Sequence, residues 1–417
     1  MRISLILFLT LVISLCQITS NASQPFLKIN EIHLDLLYLD KYLQIENNDG
    51  KAYQEGQNYN LIFNTQINLY KNLVIYLNPK LKEAGDLNLL QGYLNLKLSN
   101  SQITLGKKSL WWGPGKHGSM LLSNNIEPFL LLKLSNDQPI ILPWAGKLLG
   151  DINYSWLLTR LEEERVIPYP YLTGLRINFS PSLSFNFSLN RVIIFGGQGR
   201  ESYSFSDYWK MILASHENEP GKLNNNQLAG FDFTLQASNI KFIKSFWPQG
   251  EDLIIYGDFA GEDEAGSLPC KWGKLGGISL TALKRRVNLT LEYADNSFKN
   301  SRAYFYTHDI YQSGYTYQQR IIGHHMGGDA EDFYLNLNYQ LRRCLLELTY
   351  DIENKGLSLS NIEKKKQYLV KIGGLKRGNL VFSAKYGYQR IIKDKNNLPS
   401  PEETNQLIYL EVKLAFF

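Results

Sequence analysis

The chain has 417 residues, 44% of them hydrophobic, with a mean hydropathy of −0.25 and a formal charge of +5. So small a charge over this length says little about nucleic acid, which is not expected as a partner, and beyond the first residues no stretch approaches the ~18 uninterrupted apolar residues of a membrane helix. A soluble protein or a β-barrel remains, and an aromatic share of 13%, with 26 Tyr and 20 Phe, leans toward the barrel, which spends such side chains on two interfacial girdles.

The first segment sets the compartment. Arg2 supplies a positive start, the run from Ile3 to Leu15 is apolar but too short to span a bilayer, and Ser20-Asn21-Ala22 offers small residues at a peptidase site. The expected organisation is a signal peptide over residues 1–22 and one barrel over 23–417. Cys16 invites a lipoprotein reading, but Leu15 before it is bulky for that signal. After export only Cys270 and Cys344 remain. They are read as two unpaired thiols, with a single disulfide as the alternative.

Period-two alternation then dominates, in segments of about ten residues, the length a tilted strand needs to cross the hydrocarbon. Tyr59, Leu61, Phe63, Thr65, Ile67 and Leu69 form one apolar face, with Asn60, Asn64, Gln66 and Asn68 between them. Later runs start at Leu183, Val287, Phe333, Leu380 and Ile408. Sandwich strands average only about 5–6 residues, so these lengths favour a barrel. Polar pairs at 71–72, 100–101, 180–181, 284–285, 342–343 and 377–378 predict tight turns. They alternate with linkers over 79–86, 194–226, 261–274, 296–330 and 352–365, and short turns on one side with long loops on the other are the membrane-barrel arrangement. Counting gives about eighteen strands, an even number as bacterial single-chain barrels require. Arg176, Arg191, Asp232, Glu292 and Lys385 lie on strands with an apolar face, so they are expected to point into the lumen, as a salt-bridge network or as ligand contacts.

Smaller features fall between the strands. Ser206 to Ala214 predicts a short helix packed on the barrel mouth, with Trp209, Ile212 and Leu213 on one side. The acidic Glu262-Asp263-Glu264 reads as a solvated loop rather than a calcium site. His308, His324 and His325 do not suggest a metal: adjacent residues point in opposite directions in extended chain, and no Cys or second carboxylate sits at ligand spacing in the sequence. No cofactor is expected. Neither a nucleophile elbow nor a zinc-protease motif is present in the sequence. Phe417 ends an alternating strand like a barrel-assembly signal, although Phe416, Leu414, Val412 and Leu410 form the apolar face one register away.

The most distinctive stretch is residues 110–128, Leu110-Trp111-Trp112-Gly113-Pro114-Gly115-Lys116-His117-Gly118-Ser119-Met120-Leu121-Leu122-Ser123-Asn124-Asn125-Ile126-Glu127-Pro128. Gly-Pro-Gly interrupts any ladder, so it predicts a constrained turn carrying two adjacent indoles. Indoles with a polar N–H suit either lumen packing or stacking on a sugar ring.

This stretch resembles the core motif of the Wzi-type capsule-assembly family. The likeness continues in order through Leu172-Thr173-Gly174-Leu175-Arg176, Phe195-Gly196-Gly197, Leu228-Ala229-Gly230-Phe231-Asp232, Tyr256 to Asp263, Leu291 to Asp295, and Tyr306 to Gly323. Ile126 stands where the family usually has Ala, and strand pattern from Leu27 leaves little room for the N-terminal helical bundle of some members. The resemblance implies an all-β outer-membrane barrel of about eighteen strands, its lumen or mouth occluded by loops. It further implies a surface lectin that helps anchor capsular or exopolysaccharide and has no enzymatic activity. Its partners would be that polysaccharide, outer-membrane lipid and lipopolysaccharide, and the barrel-assembly machinery, with the chain a monomer. The candidate polysaccharide contacts are Trp111, Trp112, Asn124, Asn125, Arg176, Arg191, Asp232 and Glu292. A diffusion or transport pore is the alternative, and a luminal seal is the alternative role for the Trp pair.

Overall fold

The computed structural model describes residues 26–416, apart from 83–86, 144, 202, 213–223, 241–244, 246–250, 266–267, 298–304, 359–360, 396–397 and 400–401. The expected signal peptide and Phe417 lie outside the described residues. Eighteen long strands are described: β1 Leu27–Leu39, β2 Gly56–Tyr70, β3 Leu73–Lys82, β4 Leu87–Leu98, β5 Ser101–Lys108, β6 Phe129–Asn136, β7 Asp151–Arg160, β8 Tyr171–Ser182, β9 Phe185–Phe195, β10 Asn226–Gln236, β11 Asp252–Ala265, β12 Leu268–Ala282, β13 Val287–Asp295, β14 Ala330–Gln340, β15 Leu345–Lys355, β16 Asn361–Arg377, β17 Leu380–Lys395 and β18 Glu403–Ala415. Each pairs antiparallel with the next. β1 returns to β18, from Glu31 opposite Ala415 to Leu39 opposite Leu407, and closes the wall.

Alternation decides the faces. Leu105, Leu189, Phe231, Ile278, Leu291, Val370, Phe382, Ile408 and Leu410 stand exposed on the outside, an apolar belt that suits hydrocarbon. Tyr38, Tyr59, Tyr171, Tyr293 and Phe333 border it at the loop end, with Tyr70 and Tyr339 at the turn end. Buried Asn60, Thr104, Ser188, Asn190, Asp232, Asp258, Thr290, Glu292, Asn336, Asp351 and Gln389 occupy the opposite parity and line the lumen. A polar interior and a greasy exterior are what a closed sheet in a bilayer requires, because its backbone groups are all paired and lipid meets only side chains.

Several boundaries differ from expectation. The turn expected at 180–181 falls at 183–184. The described residues of linkers 79–86 and 261–274 are strand, and so are most of those in 352–365, since β3, β11 and β15 continue to Lys82, Ala265 and Lys355. Polar residues end a strand only where the ladder loses its partners, and here the ladder continues beyond the apolar belt. Two connections on the turn end are long: 137–150, with a short helix α1 Gly146–Leu149, and 237–251, which begins with a 3₁₀ turn Ala237–Asn239.

The predicted loop helix is present as α2, Phe205–Ile212. At its start the Asp207 carboxylate reaches back, Oδ2 accepting the Ser204 hydroxyl and amide at 2.6 and 2.7 Å. It leans on the outside of the wall rather than on the mouth: the Tyr208 ring stands perpendicular to Phe195 at 5.8 Å. Ile193 and Phe195 share the outward parity of exposed Leu189 and rise above the belt, where they need apolar cover. Cys344 is a free thiol, and the Cys270 side chain lies outside the described residues.

Candidate functional site

The main core of this protein fills its lumen. Loop 109–128 enters from the loop end, and Trp112, Met120, Leu121 and Leu122 pack there with Tyr306, Tyr311, Tyr315 and Ile322 of loop 296–329 and with inward wall residues Leu157, Leu172, Val192, Ile194 and Tyr256. Trp112 is 5% exposed and lies against Gly174, where a Cβ would stand 2.8 Å from the indole.

Wall carboxylates hold the inserted backbone. Glu292 accepts the amides of Lys116, His117 and Gly118 at 2.7, 3.1 and 2.9 Å and the Tyr256 hydroxyl at 2.9 Å. Three successive N–H groups converging on one anion form a nest, and the ionised acceptor makes each bond stronger than a neutral one. Asp258 accepts the Met120 amide at 2.9 Å, and Glu262 accepts the Tyr306 amide at 2.9 Å. The motif's glycines permit this approach. Gly113 has φ +124°, and a Cβ there would stand 2.4 Å from Asp258 Oδ2; one on Gly118 would stand 2.0 Å from His324 Nε2.

The loops also bind one another. Ser123 Oγ donates to Gly323 O at 2.6 Å, the Asn125 amide donates to Ile321 O at 3.1 Å, and the Tyr306 and Tyr315 hydroxyls reach the carbonyls of Met120 and Leu121. Arg320 donates to Ile45 O, Asn48 Oδ1 and Asn125 O at 3.2, 3.3 and 3.1 Å, joining three loops through one guanidinium.

Four sequence-predicted residues, Trp112, Asn125, Glu292 and Asp232, therefore sit inside, each 5% exposed or less. Asp232 takes Arg176 in a two-pronged pair at 2.7 and 2.9 Å and the Asn190 amide at 2.7 Å. Lys385 faces the lumen toward the turn end, beside Glu347, Thr349, Leu369 and Lys371, around a cavity of about 80 Å³. Arg191 does not face the lumen. It shares parity with Leu189 and lies on the outer rim, donating to Gln227 at 3.1 Å. Trp111 and Asn124 are half-buried, and Asn124 Oδ1 has no hydrogen-bond partner among the described residues. Glu262 stands at the lumen side of β11 rather than in a solvated loop.

Sequence reasoning missed the polar cluster below the motif. His117 comes from loop 109–128, His324 and His325 from loop 296–329, Asp332 from β14, Asp351 and Glu353 from β15, and Glu46 from loop 40–55. His324 and His325 are not extended. Gly327, at φ +78°, donates its amide to His324 O at 3.0 Å, and this turn stacks the two rings 4.5 Å apart at 29°. Asp332 faces Glu353 and Tyr334 faces Asp351 in the ladder, so the carboxylates share one face. The inward parity of Asp332, one residue from apolar Phe333, was the available signal. Burial opposes charge on His117, but Asp332 and Asp351 outweigh it and raise its pKa above the usual imidazole value. Burial, helped by its two histidine neighbours, holds His324 well below it. The carboxylates thus create a strongly negative field at one point.

Comparison with known proteins gives this architecture a family. The family described as "Capsule assembly protein Wzi" matches residues 41–406. An uncharacterized 55.8 kDa protein in the cps region of Klebsiella pneumoniae is 31% identical over 206 residues, which is 48% of this chain and 38% of that protein. Among solved structures, Wzi of Escherichia coli, an outer-membrane carbohydrate-binding β-barrel involved in group 1 capsule assembly, superposes with a TM-score of 0.73 at 21% identity, over 93% of this chain and 85% of that one. OpdQ of Pseudomonas aeruginosa and OccAB3 of Acinetobacter baumannii superpose at 0.52 and 0.53 with 10% identity, over 93% of this chain and 97% and 98% of theirs, a likeness of fold alone. The wall, the luminal loops and the family match agree with the resemblance carried by residues 110–128: the chain belongs to the Wzi capsule assembly protein family.

Proposed function

We propose that this protein is a non-catalytic outer-membrane barrel that binds carbohydrate and helps hold capsular or related exopolysaccharide at the cell surface. One observation carries the reading: the lumen is filled by the protein's own loops, docked through Glu292, Asp258 and Glu262. A filled barrel with rigid loops serves as a platform, and rigidity matters where a long sugar chain is held by many weak contacts. It suits a pore poorly.

In this reading Trp111, half-buried, supplies a stacking face, and Asn124, whose Oδ1 is buried, helps hold the platform by accepting the Asp49 amide on its backbone carbonyl at 2.7 Å. Trp112, Asn125, Arg176, Asp232 and Glu292 contribute by holding the platform, and Arg191 offers a cation at the outer rim for a uronic-acid carboxylate. Lipid and lipopolysaccharide contact the apolar belt of a monomer, after insertion by the barrel-assembly machinery.

The test compares Trp111→Ala with Trp112→Ala. The first lowers binding of purified protein to an anionic exopolysaccharide about tenfold, the loss of one stacking contact of ~1.4 kcal/mol, and keeps the heat-dependent gel mobility of a folded barrel. The second disturbs that mobility. Unchanged binding in a correctly folded Trp111→Ala protein removes that residue from the site.

A further inference from the structure

We propose that His117, His324, His325 and Asp332 form a binding site for one divalent transition-metal ion of the zinc type, buried between the two inserted loops and the wall. The inference stands apart from the carbohydrate reading and rests on different residues.

The spacing is the first argument. The Nε2 atoms of His325, His117 and His324 stand 3.1, 3.5 and 3.9 Å from Asp332 Oδ2. Ligands about 2.0–2.1 Å from a tetrahedral zinc lie ~3.3 Å from one another; here the donor atoms form two triads that share Asp332, His324–His325–Asp332 and His117–Asp332–Asp351, each within 4.8 Å, which an ion would draw together. Asp351 Oδ1, 3.6 Å from His117 Nε2, is placed as a fifth donor or as the partner that orients the imidazole. The four residues are the donor types zinc selects, nitrogen from imidazole and oxygen from carboxylate.

Satisfaction is the second argument. The side chains of His324, His325, Asp332 and Asp351 are each 1% exposed or less. Nε2 of all three histidines and both oxygens of Asp332 and Asp351 lack a hydrogen bond of acceptable geometry among the described residues. Buried groups of this kind are normally paired, and a single ion satisfies most of them together. On the far side of the rings the contacts are loose: His325 Nδ1 is 3.4 Å from Asn47 Nδ2, and His324 Nδ1 is 3.4 Å from the Met326 amide. Contacts that long do not hold a proton on Nε2 against a metal.

Charge is the third argument. Glu46 and Glu353 each approach His325 Nε2 at 3.4 Å, so four carboxylates meet here. Lys355 pairs with Glu353 at 2.6 Å, and Lys365 pairs with Glu46 and, at 3.0 Å, with Glu353. With all four ionised, two negative charges exceed the two lysines, which one divalent ion bound by neutral imidazoles would cancel; bringing them inside without a counter-charge is costly. The expectation of no metal assumed extended histidines and distant carboxylates, and the 324–327 turn and the β14–β15 register remove both premises.

The test uses the full chain purified from membranes in chelator-free detergent. We expect about one zinc per chain by mass-spectrometric metal analysis, since buried sites acquire their ion on folding. After chelation, added cobalt(II) gives the intense visible absorption of a four-coordinate site, and added zinc raises the unfolding temperature. The double variant H117A/H325A loses metal while keeping the gel mobility of a folded barrel. If it does not fold, His117→Gln alone, of similar size, should bind cobalt at least tenfold more weakly. A metal-free chain with no cobalt spectrum and no zinc-dependent shift overturns the proposal and leaves the cluster to imidazolium–carboxylate pairing; metal retained equally in the variants overturns the assignment of ligands.

Discussion

Glu292 receives three loop amides and one phenol, so four donors depend on a single carboxylate facing the lumen. Truncation strands them in a dry interior, and each unmet donor costs about 1–3 kcal/mol. We expect Glu292→Ala to lower stability by roughly 3 kcal/mol or more, and Glu292→Gln, which keeps an acceptor but loses the charge, by roughly 1–2 kcal/mol. Unfolding in denaturant followed by gel mobility measures both, and equal stability of the two variants would contradict a charge-assisted nest. At this scale the sequence was legible in part. Glu292 was recognisable as luminal from its neighbours Leu291 and Tyr293, whereas Arg191 was misplaced because its parity with Leu189 was not followed. The role of Glu292 was invisible, since nothing near it names a loop 176 residues away.

Among the elements, the strands are the readable unit. A strand in a bilayer meets lipid on every second side chain, so each segment reports its own orientation. Leu410 on β18 is 44% exposed within the belt, and Ser383 on β17 has the opposite parity, facing Glu411 across the ladder. Leu410→Arg is expected to cost about 2–4 kcal/mol near the midplane and to reduce insertion, whereas Ser383→Arg, beside that glutamate, is tolerated. Folding efficiency into lipid vesicles separates them, and similar losses would place the belt elsewhere. Loop elements read less well. The one-sided spacing of Trp209, Ile212 and Leu213 signalled α2 correctly, yet its docking on Phe195 outside the wall required knowing which strand ends rise above the membrane.

For the whole molecule, the filled lumen predicts electrical silence in planar bilayers. Residues 112–122 run into the lumen while β5 and β6 stay paired from Ser101–Asn136 to Lys108–Phe129. Replacing 112–122 with a short Gly-Ser link therefore leaves the wall intact and removes much of the core. We expect steady ohmic conductance in that variant and none in the parent; silence in both would mean that other loops seal the barrel unaided. The same deletion removes His117 and Trp112, so cobalt binding and retention of polysaccharide should fall with it.

The wall was written in the sequence alone: its strand count, the sidedness of its turns and the identity of its lipid face. Period-two hydropathy is a local property, enforced strand by strand by a solvent that touches every outward side chain. The family motif was likewise legible as a constrained, indole-bearing turn. Where that turn goes was decided only by the closed barrel. Docking onto Glu292, Asp258 and Glu262, the join between Ser123 and Gly323 across 200 residues, and the gathering of His117, His324, His325 and Asp332 all depend on curvature and register summed around eighteen strands. No local pattern carries that sum, because each luminal contact joins a wall residue to a loop far from it in the sequence.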